Sequence, residues 1–218
     1  MYPIQFYDDF VCKAVNATDT WNTTITGGAG SVAYTAVAGG AALITCHTVD
    51  LSNINMCTGL CFMANKTCGM EARFAASIVT AGAFFVGFSD SISHALMPIE
   101  GEANAKVSTA ANAVGLMYDS DYTTSAFTQA VAVKANVDGT WVSSAILPVL
   151  ATYYTYRVEI DSDGTTRFFI NGVCVSTQAA AITATTPLCA IVAAATRAGG
   201  VAEILTVDYI KAWQRDRL

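Results

Sequence analysis

Two carboxylates two residues apart, Asp161 and Asp163 in VEIDSDGTTRFFINGVCVST (residues 158–177), could offer oxygen ligands to a calcium ion. A helix–loop–helix calcium site would also need an acid at the twelfth loop position, which is Gly172, and a helix on either side. The stretch reads instead as sheet. Asn171-Gly172 lies between apolar runs and predicts a two-residue type I′ hairpin, whose central positions both need positive φ. Ser162-Asp163-Gly164 predicts a three-residue turn with Gly164 in the left-handed bulge position. Together the turns predict Ile170 opposite Val173, Phe169 opposite Cys174 and Phe168 opposite Val175. They also set Asp161 against Thr165, Glu159 against Arg167 and Val158 against Phe168. Tyr156, Val158, Ile160, Phe168, Ile170, Val173 and Val175 then share one face, with Arg157, Glu159 and Arg167 on the other. Asp161 and Asp163 are expected to shape a three-stranded meander.

Other residues with chemical potential are sparse. Glycoside hydrolysis needs two carboxylates flanking a sugar. Glu100 and Glu102 in MPIEGEANAK are the nearest candidates, but Pro98 and Gly101 predict a loop there. Asp8-Asp9 and Asp119/Asp121 read as strand-end and turn acids. Nucleophilic catalysis by Ser or Cys usually needs a histidine base, and neither His47 nor His94 lies near a G-x-S-x-G motif. No phosphate loop occurs. Cys46, His47, Cys57, Cys61 and Cys68 are spaced unlike a zinc ribbon or finger. The seven cysteines, with Cys174 mid-strand and Cys189 in an apolar run, are expected to be reduced and buried. No catalytic, cofactor-binding or metal-binding residue is therefore assigned.

The elements that would position such residues are strands. No window repeats apolar residues with helical spacing over several turns, while turn signals recur. GMEARFAASI alternates, with Met70, Ala72 and Phe74 opposing Glu71 and Arg73. AFFVGFSD (83–90) is apolar on both faces and predicts a central strand. AVGLMYDS and FTQAVAVKA predict successive strands, DGTW (138–141) a bend, and EILTVDYIKAWQR a final alternating strand. The glycines of GGAG and AGG between positions 27 and 40 predict early hairpins. Short strands spaced by turns, with no linker or repeat, predict one all-β domain over residues 1–218, an antiparallel two-sheet sandwich.

Hydrophobic residues make up 53% of the 218 and charged residues only 13%, against about 25% in an ordinary soluble domain. So little charge predicts a surface partly covered by partners. A net charge of −6 without a basic cluster argues against nucleic acid. No apolar run is long enough to span a membrane as a helix. MYPIQFYDDF lacks the basic and apolar regions of a secretion signal, so the N-x-S/T sites at Asn16, Asn22 and Asn65 are expected to go unused.

Several pieces recur in a fixed order: Asp8-Asp9-Phe10, Gly87-Phe88-Ser89-Asp90, and Gly115-Leu116-Met117-Tyr118-Asp119. Next come Asp163-Gly164 with Phe168-Phe169-Ile170-Asn171-Gly172, then Thr186-Pro187-Leu188, and Val207-Asp208-Tyr209-Ile210 before Arg215. The ordered set resembles the concanavalin A-like lectin/glucanase jelly roll, in the version found in structural proteins of tailed bacteriophages. The likeness covers most of the chain and is weakest over residues 20–70. It implies a jelly-roll sandwich whose first and last strands are neighbours. It also implies a virion component, a capsid decoration or cement protein made in the bacterial host cytoplasm. Such a protein would sit on the capsid surface as a homo-oligomer, with a trimer favoured, against the major capsid protein. The E-x-D-x-x-E strand motif of sugar-cleaving relatives is missing, which implies a protein that is not an enzyme. The metal-binding acids of legume-type lectins have no clear counterpart. The alternative is a carbohydrate-binding module on a phage head or tail fibre, binding a glycan on exposed aromatics such as Trp21, Trp141, Tyr153 or Tyr154.

Overall fold

The computed structural model describes residues 4–11, 21–35, 39–124 and 126–215, so Cys12 and Asn16 lie outside the described residues. Two antiparallel sheets stack face to face. The first runs β17 (Val173–Gln178), β16 (Thr166–Ile170), β15 (Tyr154–Ile160), β7 (Cys68–Ala76), β19 (Ile204–Gln214), β4 (Ala41–Thr45) and β3 (Ser31–Thr35). Beside the C-terminal half of β19 lies β1 (Ile4–Asp8), so the first and last strands are neighbours. The second sheet runs β13 (Val137–Asp138), β12 (Gln129–Lys134), β11 (Ala113–Asp119), β8 (Gly82–Ser89), β18 (Pro187–Thr196), β5 (Asn53–Cys57) and β2 (Asn22–Thr26). Short strands β14 (Val142–Ser143) and β6 (Phe62–Met63) add to β12 and β18. A separate hairpin joins β9 (Ile99–Glu102) to β10 (Ala105–Ser108). No helix among the described residues is long and apolar enough to cross a membrane.

Alternation builds the core. Met70, Ala72 and Phe74 of β7, Tyr156 and Val158 of β15, and Val207 and Ile210 of β19 point inward from the first sheet. They meet Phe84, Val86 and Phe88 of β8, with Val114 and Leu116 of β11. The second sheet is buried on its other face too. Phe85, Ala113, Met117, Val131, Cys189 and Ile191 pack outward beneath Met97, Ile99, Ala110 and Trp141. This double burial explains why AFFVGFSD carries no polar alternation.

Both turns of the meander form as expected. Asn171 and Gly172 have φ of 50° and 80°, and Gly164 has φ of 82°. Tyr156–Ile170, Val158–Phe168 and Glu159–Arg167 pair in the expected register, as do Phe169–Cys174 and Ile170–Val173. One pair is corrected: Phe168 lies opposite Ser176, not Val175, because a bulge shifts the register on this edge strand. Val173 is also corrected: at the hairpin tip it is exposed and adds nothing to the core. The expectation of uniformly buried thiols holds for Cys46, Cys57, Cys68 and Cys189. Cys61 is half-buried and Cys174, on the open edge of β17, is exposed.

Candidate functional site

The acids of the DSDG turn are engaged within the sheet. Asp161 takes a two-pronged pair from Arg167 at 2.7 and 2.9 Å, and Asp163 Oδ1 accepts the Thr165 N–H at 2.9 Å. Asp8 accepts the Trp21 indole N–H and the Phe10 N–H, both at 2.9 Å, and so fixes the chain at the end of β1.

Glu100 and Glu102 are corrected. They lie on strand β9, not in a loop, because Ala103 and Asn104 take positive φ and close a tight hairpin. Glu100 is fully buried and meets Arg197 Nη2 at 2.7 Å, and the same nitrogen meets Asp119 Oδ2 at 2.7 Å. Asp119 also accepts the Gly101 N–H at 3.0 Å and the Asp121 N–H at 3.1 Å. It is a strand-end acid as expected, the last residue of β11, and it also anchors the β9–β10 hairpin there. Burial raises the Glu100 carboxyl while Arg197 opposes the shift, and Arg197 itself is held firmly charged by its two acids. A cavity of about 290 Å³ opens beside Asp119, Ser120, Tyr122 and Thr123.

His94 closes the other end of this cover. Thr109 Oγ1 gives its one proton to Met97 O at 2.8 Å, so it accepts from His94 Nδ1 at 3.1 Å. The bare Nε2 then accepts the Ser89 hydroxyl at 2.7 Å. Burial lowers the pKa of His94, in keeping with a neutral ring. Asn53 Nδ2 donates to Ala95 O at 2.7 Å and Asn55 Nδ2 to Leu96 O at 3.1 Å. Residues 90–112 are thus pinned across the outer face of the second sheet, where Met97, Ile99 and Ala110 cover Phe85 of β8 and Ala113 and Met117 of β11.

Glu203, also buried, accepts the Ser77 N–H at 3.1 Å, while its Oε2 lies where a side chain on Gly82 would sit. Burial pushes its carboxyl up to about 8 from an ordinary 4.5. A folded-state pKa above the unfolded one stabilises fully below the ordinary value and loses that contribution as pH rises through about 8. The Glu203→Gln variant is expected to remove this decline between about pH 5 and pH 8. Urea melts at stepped pH check it, and an unchanged wild-type-like slope in the variant contradicts it.

The outer face of the first sheet is the open one. Strand pairing sets Tyr7 (β1), Lys211 (β19), Glu71 (β7), Arg157 (β15) and Phe169 (β16) side by side in one row across five strands. Lys211 Nζ meets Glu71 Oε1 at 2.8 Å, and the Tyr209 hydroxyl donates to the same oxygen at 2.8 Å. Burial, and then the Glu71 contact, push the Tyr209 phenol up to about 12. The Arg157 guanidinium lies 4.1 Å from the Phe169 ring centre, and its Nε is 3.4 Å from Glu159. The next row places Gln5, Trp213, Gly69, Glu159 and Arg167 together. Trp213 can lie on the sheet only because Gly69 has no side chain, since a Cβ there would come within 2.4 Å of the indole. Gln5, Tyr7, Lys211 and Trp213 border a hollow of about 240 Å³. On the other side of the ladder, Arg73 pairs with Asp208 at 2.5 Å and covers the Tyr153 ring at 4.5 Å.

The expected aromatic platforms are largely corrected. Trp21 is buried against Phe6 and Phe10, and Trp141 is buried against Tyr122. Tyr154 is half-buried beside Tyr156, and only Tyr153 reaches the surface, beneath Arg73. Tyr7, which is 62% exposed, and Trp213 were missed. The alternation of Tyr209, Lys211 and Trp213 along the last strand was the available signal.

No protein-family profile matches the sequence, and no curated protein matches it. Solved structures do. The Bacteroides ovatus mixed-linkage glucan GH16 protein in complex with a G4G4G3G product is 12% identical, with a TM-score of 0.65 over 95% of this chain and 99% of that one. The Bacillus licheniformis β-glucanase is 10% identical, with a TM-score of 0.62 over 97% and 98%. The Emp47p carbohydrate recognition domain is 14% identical, with a TM-score of 0.61 over 96% and 94%. The fold is the concanavalin A-like jelly roll shared by glycoside hydrolases and lectins. These neighbours overturn the expectation that the chain is not an enzyme. Many proteins of this same architecture are glycoside hydrolases.

Proposed function

We propose that this protein binds carbohydrate on the open face of its first sheet. The observation that carries the reading is the row from Tyr7 to Phe169. It is a ladder of fixed donors and acceptors in which the half-exposed Lys211, Arg157 and Phe169 surround a buried Glu71, with Tyr7 exposed and Trp213 half-buried at its β1 end. Sugars are recognised by such pairings, since ring C–H faces stack on aromatics while hydroxyls bridge charged groups. The likeness to a glucanase with bound product and to a carbohydrate recognition domain supports the reading. Calorimetric titration of the protein with a panel of soluble glycans, including mixed-linkage β-glucan, tests it. Saturable binding is expected, and a panel with no binder defeats it. Assaying the same mixtures for new reducing ends reads out cleavage.

A second reading is favoured by one surface. Leu147, Val149 and Leu150, in the loop before β15, are exposed together with Phe127, in a chain with 13% charged residues. Such a patch suits contact with neighbouring subunits. On this reading the protein is a bacteriophage virion component, a decoration or cement protein on the major capsid protein, carried as a homo-oligomer. Mass spectrometry of purified virions tests it, with lattice-scale copy number expected and absence contradicting it. Glycan binding and virion attachment use different surfaces and are compatible.

A further inference from the structure

We infer that the ligand is a neutral, linear glycan laid across the strands, from the Tyr7–Trp213 platform over Lys211, Glu71 and Arg157 toward Phe169. The inference rests on the reading of this face as the carbohydrate site, and adds the ligand's charge, length and direction.

Charge comes first. Among the described residues, the ion pairs of this face contain four cations, Arg73, Arg157, Arg167 and Lys211. Their partners are four acids, Glu71, Glu159, Asp161 and Asp208. Each cation has a carboxylate within 4.0 Å, so an acidic sugar would meet a carboxylate beside every positive group. A neutral chain meets no such repulsion. Its vicinal hydroxyls can donate to a carboxylate and accept from the adjacent guanidinium or ammonium without breaking the pair.

Length and direction follow from the register. Tyr7, Lys211, Glu71, Arg157 and Phe169 stand on five successive strands. Neighbouring strands lie about 4.8 Å apart, so the row is roughly 19 Å long and runs perpendicular to them. A single pyranose covers only a fraction of that distance. The row's stacking surface lies at its β1 end, where Tyr7 stands exposed and the half-buried Trp213 indole, with Lys211 Nζ 5.7 Å from its ring centre, borders the hollow with Gln5. Toward β16 the Phe169 ring is capped by Arg157, so that end offers hydrogen bonds instead of a bare ring. The sugar nearest β1 would stack, and those beyond it would bridge the ladder.

The test titrates neutral β-glucan oligosaccharides of increasing length, and an acidic uronate oligosaccharide for contrast, into the wild type, Trp213→Ala, Tyr7→Ala and Arg157→Gln proteins. Circular dichroism verifies that each variant is folded. Affinity is expected to climb with each added sugar until the row is covered, with little dependence on salt. Trp213→Ala and Tyr7→Ala are each expected to weaken binding about tenfold at every length. Arg157→Gln is expected to weaken only the longer chains. Equal affinity for the shortest and longest oligosaccharides overturns the inference, as does salt-sensitive preference for the uronate chain. If glycan binds but all three variants bind like wild type, this placement falls and the carbohydrate reading stands. If no glycan binds the wild type, both fall.

Discussion

Replacing Arg197 with methionine is expected to lower the unfolding free energy by about 3–5 kcal/mol, the scale for breaking a buried ion pair by removing one partner. Arg197, Glu100 and Asp119 have no exposed side-chain surface. In the wild type Arg197 donates Nε to Asp119 Oδ1 at 3.0 Å and Nη2 to both carboxylates at 2.7 Å. Methionine fills similar volume but leaves two carboxylates facing each other in a dry site. Burial already raises the Glu100 pKa with arginine present, so without it Glu100 takes up a proton more readily still. The defect is therefore largest near neutral pH and shrinks as pH falls and Glu100 is protonated. Urea melts across pH measure this. A loss below about 1 kcal/mol at neutral pH would contradict the assigned role.

The second large effect concerns backbone approach. Gly87 of β8 faces Gly115 of β11 in register. A Cβ on Gly87 would lie 2.0 Å from Val114 O and 2.6 Å from Gly115 Cα. Both are main-chain atoms, so no rotamer change relieves the clash and two central strands must move apart. Gly87→Ala is expected to cost about 1–3 kcal/mol or to prevent folding outright. The matched control is Gly59→Ala, where nothing lies within 4 Å and φ is not in the left-handed region, and which is expected to be near neutral. Equal melting temperatures for the two variants would contradict the packing described for β8 and β11.

Much of the fold was legible where local chemistry and long-range packing agree. Asn171-Gly172 and Asp163-Gly164 each demanded positive φ, and the faces they implied for β15 and β16 matched the core. Where a bulge intervened, alternation misled. Val207 and Ile210 both point into the core although three residues apart, because Asp208 is the extra residue between the pairs Val207–Phe74 and Tyr209–Arg73. The Phe168–Ser176 shift has the same origin, an inserted residue that no side-chain pattern announces.

The candidate site was less legible, since its parts come from distant strands. Tyr7, Glu71, Arg157, Phe169 and Lys211 become one row only once β1, β19, β7, β15 and β16 are ordered side by side. Arg197 follows an apolar run and pairs with acids 78 and 97 residues away, so sequence proximity offered no partner for it. The tryptophans show the same limit. Trp21 and Trp141 sit among polar neighbours in the chain yet are buried, whereas Trp213 reaches the surface because Gly69 lies opposite it.

The most direct test of the carbohydrate site is amide and indole chemical-shift mapping during titration with a neutral β-glucan oligosaccharide. The account predicts shifts that centre on Tyr7, Lys211, Trp213, Glu71 and Arg157 and leave residues 90–112 still. Shifts confined to residues 90–112 and the Asp119 cavity, or none at saturating sugar, would contradict it.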